Sequence, residues 1–319
     1  MFSLLVGLVI GFGLPLQTAI NSRLRRIVRS PLVSSMISFS VGTLFLVAIL
    51  ILSRQGLLIS EATIAHQPWW IWIGGILSVV YLTGNIVLFP HLGAAQTVIM
   101  PVVGQLSMSM LIDNFGWFDS QRHPLTVIRV IGGIVVLLGV LLVVFTNSAR
   151  SELKIQKSHA SVDERRPRNS TSALPWQIAG VVTGMLSAAQ TAINGHLGTV
   201  LASPEKAAFI SFLVGTVALW IIVAAYEHGI HVKPAFSRKN PWWVWIGGVI
   251  GSLFVLGNAY MVPKIGTGLT VVVVLFGMIS GGLVVDSFGW LGARRISVRP
   301  VQLLGVLALI CGVILIKLF

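Results

Sequence analysis

The chain has 319 residues, of which 55% are apolar and only 10% are charged, whereas a soluble domain averages about 25% charged residues. This composition excludes a soluble enzyme, a disordered chain and a disulfide-stapled scaffold, and the single Cys311 forms no intrachain disulfide. In so apolar a chain, the formal net charge of +13 does not indicate a nucleic-acid-binding protein. The length allows roughly ten membrane spans, because one span needs about 20 apolar residues.

The sequence repeats itself at an offset of 173 residues. Gln-Thr-Ala-Ile-Asn at 17–21 recurs at 190–194, and Pro-Trp-Trp at 68–70 recurs at 241–243. Gly-Asn at 84–85 recurs at 257–258, and an Asp two residues before Phe-Gly-Trp occurs at 113 and 286. The register holds without a gap from about residue 7 to residue 146, which indicates a duplication. Residues that occupy the same position in the two halves are called twins below.

Apolar stretches alternate with loops along each half. In the first half they cover residues 3–20, 32–52, 69–89, 92–112 and 125–145, and their twins cover 176–193, 207–226, 242–262, 266–285 and 301–319. Each is long enough to cross a bilayer and none alternates with period two, so helices are expected. The first stretch lacks a basic segment before it and recurs as an interior stretch, so we expect it to be retained.

Five spans in each half predict an inverted repeat. An odd number of crossings sends the second half into the membrane in the opposite sense, about a pseudo-two-fold axis in the membrane plane. The predicted fold is all-α, with ten transmembrane helices in two inverted five-helix repeats. Residues 1–146 form the first repeat, 147–174 a polar cytoplasmic linker, and 175–319 the second repeat.

Positive charge is concentrated on one predicted side of the membrane. Of the 22 Lys and Arg residues, 16 fall in the odd-numbered loops and 6 elsewhere. Basic loops stay in the cytoplasm, so both termini are expected outside. These residues could instead form a nucleic-acid surface, but short basic loops on one side are typical of topology control and of contact with anionic lipid headgroups.

Amides are the main polar groups inside the spans, which carry no Glu, Lys or Arg in their middle. Residues 17 and 21 lie four apart and so share a helix face, as do their twins. A Gly, an Asn and a Pro at 84–90 and at 257–263 favour a broken helix, a feature of transporter binding sites. The predicted substrate-binding residues are Gln17, Asn21, Asn85, Gln190, Asn194 and Asn258. Interhelical hydrogen bonding and simple kinks are the alternatives.

Two acids and several glycines complete the candidates. Asp113 and Asp286 end the fourth and ninth spans, where a buried carboxylate can carry coupling protons; an interfacial acid at a helix end is the alternative. Small residues at close spacing predict close helix packing at Gly7, Gly11, Gly42, Gly180, Gly184 and Gly215. The histidines are scattered and form no cluster with the single cysteine, so neither a metal nor a cofactor is expected.

Together these motifs resemble the YdcZ family of the drug/metabolite transporter superfamily. The matching features are Gln-x-x-x-Asn in the first span, Ser-Phe-x-x-Gly-Thr in the second, Pro-Trp-Trp-x-x-x-Gly-Gly at the third, Gly-Asn within it, and Asp-x-Phe-Gly-Trp after the fourth. Family members commonly have five spans, and fused ten-span forms occur. The resemblance implies a multi-pass permease or exporter of small molecules in a bacterial inner membrane, and it implies no particular substrate.

One departure from the superfamily bears on coupling. Small multidrug exporters use a Glu in the first span, whereas this chain has Gln17 and Gln190, which cannot titrate. An amide site suits a neutral or zwitterionic metabolite better than a cation. The sequence therefore favours a transporter rather than an enzyme, surrounded by lipid, without a nucleic-acid partner, and with a homodimer left open. A channel of the same architecture and a membrane enzyme acting on lipid are the alternatives.

Overall fold

A computed structural model describes residues 2–158, 173–227, 232–237, 240–290 and 299–318, and over these residues the predicted all-helical fold is confirmed. The first half contains α1 (Phe2–Val28), α2 (Pro31–Leu52), the short α3 (Glu61–His66), α4 (Gly74–Phe115) and α5 (Val127–Ser158). The second contains α6 (Leu174–Val200), α7 (Pro204–Tyr226), α8 (Ile246–Ile265), α9 (Thr267–Phe288) and α10 (Pro300–Leu318). Short 3-10 turns lie at Trp69–Trp72, Trp117–Asp119, Lys233–Phe236 and Trp242–Trp245.

Eight segments in the described part of the chain are long and apolar enough to cross a membrane. They lie in α1, α2, α5, α7, α8, α9 and α10 and in the C-terminal arm of α4. α6 has 27 residues, as many as α1, and is not among these eight segments. α5 continues to Ser158, so the predicted linker at 147–174 begins as helix, and residues 159–172 of that linker lie outside the described residues.

Twin serines begin twin helices. The Ser30 hydroxyl accepts the backbone N–H of Val33 at the start of α2, at 3.2 Å, and the Ser203 hydroxyl accepts that of Lys206 at the start of α7, at 3.1 Å. A proline follows each serine at the first helical position, where its fixed φ suits the helix and its missing N–H has no partner to lose. The same local sequence therefore sets the same boundary in both halves.

α4 is helical throughout, but it doubles back on itself. Gly84 in its N-terminal arm lies against Thr183 of α6, and Gly104 in its C-terminal arm lies against Val181. Twenty residues of straight helix would separate these two glycines by about 30 Å, so the chain reverses between them. In the second half the corresponding reversal lies at Gly266, between α8 and α9. The backbone of Gly266 has a φ of 78° and a ψ of 167°, which suit only glycine.

The two halves pack about a pseudo-two-fold axis. Phe39 stacks on its twin Phe212 with ring centroids 4.8 Å apart, and the hydroxyl oxygens of the twins Thr43 and Thr216 lie 2.8 Å apart. Farther out, the twin helices α5 and α10 pack antiparallel through two glycine pairs, Gly132 with Gly312 and Gly139 with Gly305. Twin helices that run in opposite directions have the relation that an inverted repeat requires.

Five helices surround the centre of the molecule. α6 packs on α4 and on α8, α8 packs on α1, α1 packs on α9, and α9 packs on α4, so the contacts close into a ring. α2 and α7 pack on each other and against the ring, and α5 and α10 pair at its outside, where the largest apolar core lies beside α9. The side chains of α1, α4, α6, α8 and α9 are therefore the ones positioned around the centre.

The loops between the ten predicted spans form two separate groups. Ser30 donates to Glu227, which joins the first loop to the seventh. Ser203 donates to Gln55 at 2.6 Å, which joins the sixth loop to the second, and the Gln121 amide donates to a backbone carbonyl of the eighth loop. Odd-numbered loops thus contact odd ones and even-numbered loops contact even ones. The two ends of the molecule are called the odd-loop end and the even-loop end below.

Candidate functional site

Asn21 and Asn194 lie against glycines of the opposite half. A Cβ added to Gly247 would meet the Asn21 amide, and one added to Gly74 would meet the Asn194 amide. Asn194 is 1% exposed, and neither atom of its amide has a hydrogen-bond partner within the described residues. The spacing that the two halves share at these positions therefore has a packing explanation, and the unpaired amide atoms keep these asparagines among the candidate binding residues.

The other four predicted binding residues lie in different surroundings. Gln17 lies against Gly251 of α8, and Gln190 is 5% exposed on α6. Asn258 is 3% exposed, and its Oδ1 has no hydrogen-bond partner in the described part of the chain. No hydrogen bond between described side chains joins any two of the six residues. The structure places all six on ring helices without bringing them into one cluster.

A polar cluster that includes Asn85 joins both arms of α4 to α6. The Tyr81 hydroxyl lies near the side-chain amides of Asn85 and Gln105, and the Gln105 Nε2 donates to the Ser187 hydroxyl at 3.1 Å. Tyr81, Asn85 and Gln105 are half-buried, and Ser187 is buried. Polar side chains within the spans of a membrane protein face its interior or a water-filled cavity. Tyr81, Asn85, Gln105 and Ser187 are called the α4–α6 cluster below.

Sequence reasoning missed three members of this cluster because it selected polar residues by their duplication. The twins of Tyr81, Gln105 and Ser187 are apolar, namely Phe254, Met278 and Leu14. The opposite criterion identifies these three residues: each is a polar residue inside a span, and the residue at its twin position is apolar. Such a residue costs free energy in the membrane, and symmetry of the fold does not require it.

The two ends of the ring are packed differently. At the even-loop end α6 packs on α8, with Gly195 against Val262 and Gly198 near Ala259. Over the described residues, α1 and α4 form no comparable contact at the odd-loop end. Thr191 is 5% exposed, whereas its twin Thr18 is exposed. The ring is therefore sealed at the even-loop end and splayed at the odd-loop end.

Aromatic and polar contacts complete the seal. The Trp70 ring lies 5.3 Å from the His196 ring and 5.4 Å from the Phe118 ring, measured between centroids. The His196 Nε2 lies 3.5 Å from a carboxylate oxygen of Asp119. Burial lowers the pKa of His196 and the Asp119 carboxylate opposes that shift, so the imidazole is neutral at pH 7 and the contact is a neutral-to-charged one.

Asp113 is enclosed at the even-loop end and joins the two halves. Its carboxylate oxygens accept the backbone N–H groups of Thr267 and Gly268, both at 2.8 Å, at the start of α9. Arg129 of α5 lies 3.5 Å away, and the Asp113 side chain is 0% exposed. An anion with two backbone donors at a helix N-terminus is a cap, so the contacts of Asp113 favour a structural role. The side chain of Asp286 lies outside the described part, and its coupling role stays a prediction.

The six glycines predicted to pack helices all contact another helix. The contacts are Gly7 with Val273, Gly11 with Gly277, Gly180 with Met100, Gly184 with Pro101, Gly42 with Phe212, and Gly215 with Phe39. In each case an added Cβ would come closer than 3.0 Å to the neighbouring helix, so alanine does not fit without a shift of the helices. These positions set how closely the helices that carry them approach their neighbours.

A cavity and the positions of possible metal ligands bear on the location of the site. A mostly apolar cavity of about 610 Å³ lies between α2 and α7 beside the turn at Lys233–Phe236, and none of the predicted site residues lines it. No three His, Cys, Asp or Glu side chains within the described ranges lie together as metal ligands. The polar side chains of the ring helices therefore remain the candidate site.

Comparison with known proteins agrees with this architecture. A family model described as "Putative inner membrane exporter, YdcZ" matches residues 2–142 and again residues 175–315. One solved structure, described as "Crystal structure of protein", shares the fold with a TM-score of 0.68 over 100% of this chain and 98% of that chain, at 14% sequence identity. A search of curated proteins finds no match. The two matches to the family model cover both halves and confirm the resemblance, and the chain belongs to the YdcZ family of the drug/metabolite transporters.

Proposed function

We propose that this membrane protein is a secondary transporter that moves a small polar or amphipathic metabolite across the bacterial inner membrane by alternating access. Ten transmembrane helices form two inverted five-helix repeats, and the cargo binds inside the ring of α1, α4, α6, α8 and α9. The family match, the closed ring and the antiparallel twin helices α5 and α10 support this proposal. Rocking of one half against the other exposes the cargo to each side in turn.

The observation that carries the proposal is the unequal packing of twin residues. Thr18 and Thr191 have the same sequence context, yet only Thr191 is enclosed, because α6 packs on α8 while α1 stays apart from α4. Because the two halves share these motifs in one register, each can adopt either packing. Exchange of the two packings would seal the odd-loop end and open the even-loop end, which is what alternating access requires.

The grouping of the loops supports the topology. A chain that crosses the membrane ten times must place odd-numbered and even-numbered loops on opposite sides, and the contacts between loops follow that division. Since 16 of the 22 basic residues lie in odd-numbered loops, we place the odd-loop end and the linker at 147–174 in the cytoplasm and both termini outside. In this orientation the structure opens to the cytoplasm.

The proposed cargo contacts are the amides of the ring together with the α4–α6 cluster. Gln17, Asn21 and Asn258 lie on α1 and α8, while Asn85, Gln190 and Asn194 lie on α4 and α6. The unpaired amide atoms of Asn21, Asn194 and Asn258 are buried polar groups whose cost a bound polar molecule would reduce. We assign no proton-carrying role to Asp113, because its carboxylate already has three donors.

Flux through reconstituted vesicles tests the proposal. A panel of metabolites is offered to vesicles that contain the full chain, and at least one should be transported in a saturable way. Replacing both duplicated glutamines, Gln17→Ala with Gln190→Ala, should lower that flux by about tenfold or more, because each amide loses a hydrogen bond in a membrane interior. Gln67→Ala changes an amide beside α3, outside the ring, and serves as the matched control.

Two results would contradict the proposal. Unchanged flux in the double glutamine variant would show that these amides do not contact cargo. Ion conductance in single openings, with flux far above that of a carrier, would favour the channel of the same architecture. The family assignment would survive either result, because it depends on the sequence of both halves.

A further inference from the structure

At three pairs of twin positions the ring carries polar side chains on α4 and α6 and apolar side chains on α8, α9 and α1, and these two sets are called the polar wall and the apolar wall below. Three members of the α4–α6 cluster have twins whose side chains cannot hydrogen-bond. The twin of Tyr81 is Phe254, that of Gln105 is Met278, and that of Ser187 is Leu14. Tyr and Phe differ by one hydroxyl, and Gln and Met have nearly the same length. Equivalent positions of the fold therefore carry hydrogen-bonding groups on α4 and α6 and apolar groups on α8, α9 and α1.

Most side chains of both walls are only partly buried. Tyr81 and Gln105 on the polar side are half-buried, and so are Phe254, Met278 and Leu14 on the apolar side. These residues lie on the five helices whose contacts close the ring. Half-buried polar side chains within a span turn toward the protein interior rather than toward lipid. For this reason we expect the polar wall to lie on the inner side of the ring.

The polar wall has hydrogen-bonding capacity to spare. A carboxamide offers two N–H donors and an oxygen with two lone pairs. Gln105 uses one of these four positions toward Ser187, and its amide and that of Asn85 lie near the Tyr81 hydroxyl. The wall can therefore donate to and accept from a bound molecule while the cluster itself stays intact.

Neither wall offers a countercharge. The middle parts of the ten predicted spans contain no Asp, Glu, Lys or Arg. A cargo with net charge would lose its water on entering the ring and gain only amide and hydroxyl contacts, which do not repay the loss of hydration of a full charge. Hydroxyl and amide groups are sufficient partners for a molecule without net charge.

We infer that the cargo is an amphipathic small molecule without net charge, bound with its hydrogen-bonding end on the α4–α6 cluster and its apolar body against Phe254, Met278 and Leu14. The inference rests on the proposed transport function and narrows it to a class of cargo and an orientation. An interhelical link with no contact to cargo is the competing role for the cluster, and the experiment below separates the two.

Four probes that share a phenol ring and differ in charge test the class of cargo. They are 4-hydroxyphenylethanol, tyrosine, tyramine and 4-hydroxyphenylacetate, and their binding to the purified full chain in detergent is measured by calorimetry. The uncharged and the zwitterionic probe should bind, and the cationic and anionic probes should bind at least about tenfold more weakly. Equal binding of a charged probe, or no binding of either probe without net charge, would overturn the inference.

Twin substitutions test the orientation. Tyr81→Phe and Gln105→Met place in the polar wall the side chains that its twin positions already hold, so the fold should accommodate them. Each should weaken binding of 4-hydroxyphenylethanol by about tenfold, through loss of one hydrogen bond. Tyr226→Phe, the same exchange at the exposed end of α7 and outside the ring, is the matched control and should change binding by much less.

The readouts distinguish the possible failures. If the cluster only links helices, Tyr81→Phe and Gln105→Met lower the melting temperature without probe and leave the affinity of the folded protein unchanged, which overturns the inference. If the wild-type chain supports saturable flux of a charged metabolite, the class of cargo is wrong while the transport function stands. If no metabolite in the panel is transported, the proposed function itself fails.

Discussion

At the scale of single residues, Asp113 joins helices that lie far apart in the sequence. Its carboxylate caps α9 of the other half and lies 3.5 Å from Arg129, which is itself 5% exposed. The twin of Arg129 is Gln302, so the second half has no arginine at this position. Asp113 therefore fastens the C-terminal arm of α4 to the start of α9, and through Arg129 to α5.

Removal of the Asp113 carboxylate should destabilise the protein. Asp113→Ala leaves two N–H groups and a buried guanidinium without their acceptor, and we expect a loss of about 3–5 kcal/mol in the free energy of unfolding. Asp113→Asn should cost less, because its amide oxygen can still accept one N–H group. Chemical denaturation in detergent measures the difference.

Arg129→Gln is the matched control for this prediction, since it installs the residue that occupies the twin position. It removes the ion pair and keeps both hydrogen bonds from Thr267 and Gly268 to Asp113. The loss should be smaller than that of Asp113→Ala. Equal losses of unfolding free energy in the two variants would mean that the ion pair with Arg129, rather than the cap on α9, stabilises the packing around Asp113.

At the scale of helices, the sequence predicted the elements well and their packing only in part. The lengths of the apolar stretches and the 173-residue register predicted where the helices lie, because both are properties of the local sequence and occur in both halves. The sequence could not show that Asn21 packs against Gly247 and Asn194 against Gly74, since these contacts join residues of opposite halves. The unequal burial of Thr18 and Thr191 was also beyond prediction, because identical residues carry no sign of which one is enclosed.

The seal between α6 and α8 depends on the absence of a side chain at Gly195. A Cβ added there would lie 2.5 Å from the Cβ of Val262, so Gly195→Ala should push the two helices apart. A cysteine that replaces the enclosed Thr191, in a Cys311→Ser background, should then react several-fold faster with a water-soluble maleimide. Labelling rates measured on the full chain in detergent check this expectation.

The duplication supplies the control for Gly195. Its twin is Ser22, an exposed position at the splayed end, and Ser22→Ala should leave the labelling rate at residue 191 unchanged. A cysteine at Thr18 should label rapidly in every background, because that position is already exposed. Slow labelling at both 18 and 191 would show that both ends of the ring are sealed.

At the scale of the whole molecule, the proposed topology separates the two ends of the ring by a membrane. Cysteines at the exposed positions Ser22 and Thr199, again without Cys311, report on the odd-loop end and the even-loop end. The residue-22 cysteine should react with an impermeant maleimide only in inside-out vesicles, and the residue-199 cysteine only in right-side-out vesicles. Reaction of both from one side would refute the inverted arrangement.

The stacked rings of Phe39 and Phe212 and the paired hydroxyls of Thr43 and Thr216 have a mechanical consequence. Each pair consists of one residue and its own counterpart, so swapping the conformations of the two halves carries the pair onto itself. These two twin contacts can therefore persist while the surrounding residues exchange their packing contacts. In the proposed rocking of the two halves, we therefore expect the aromatic stack and the hydroxyl pair beside it to act as the pivot.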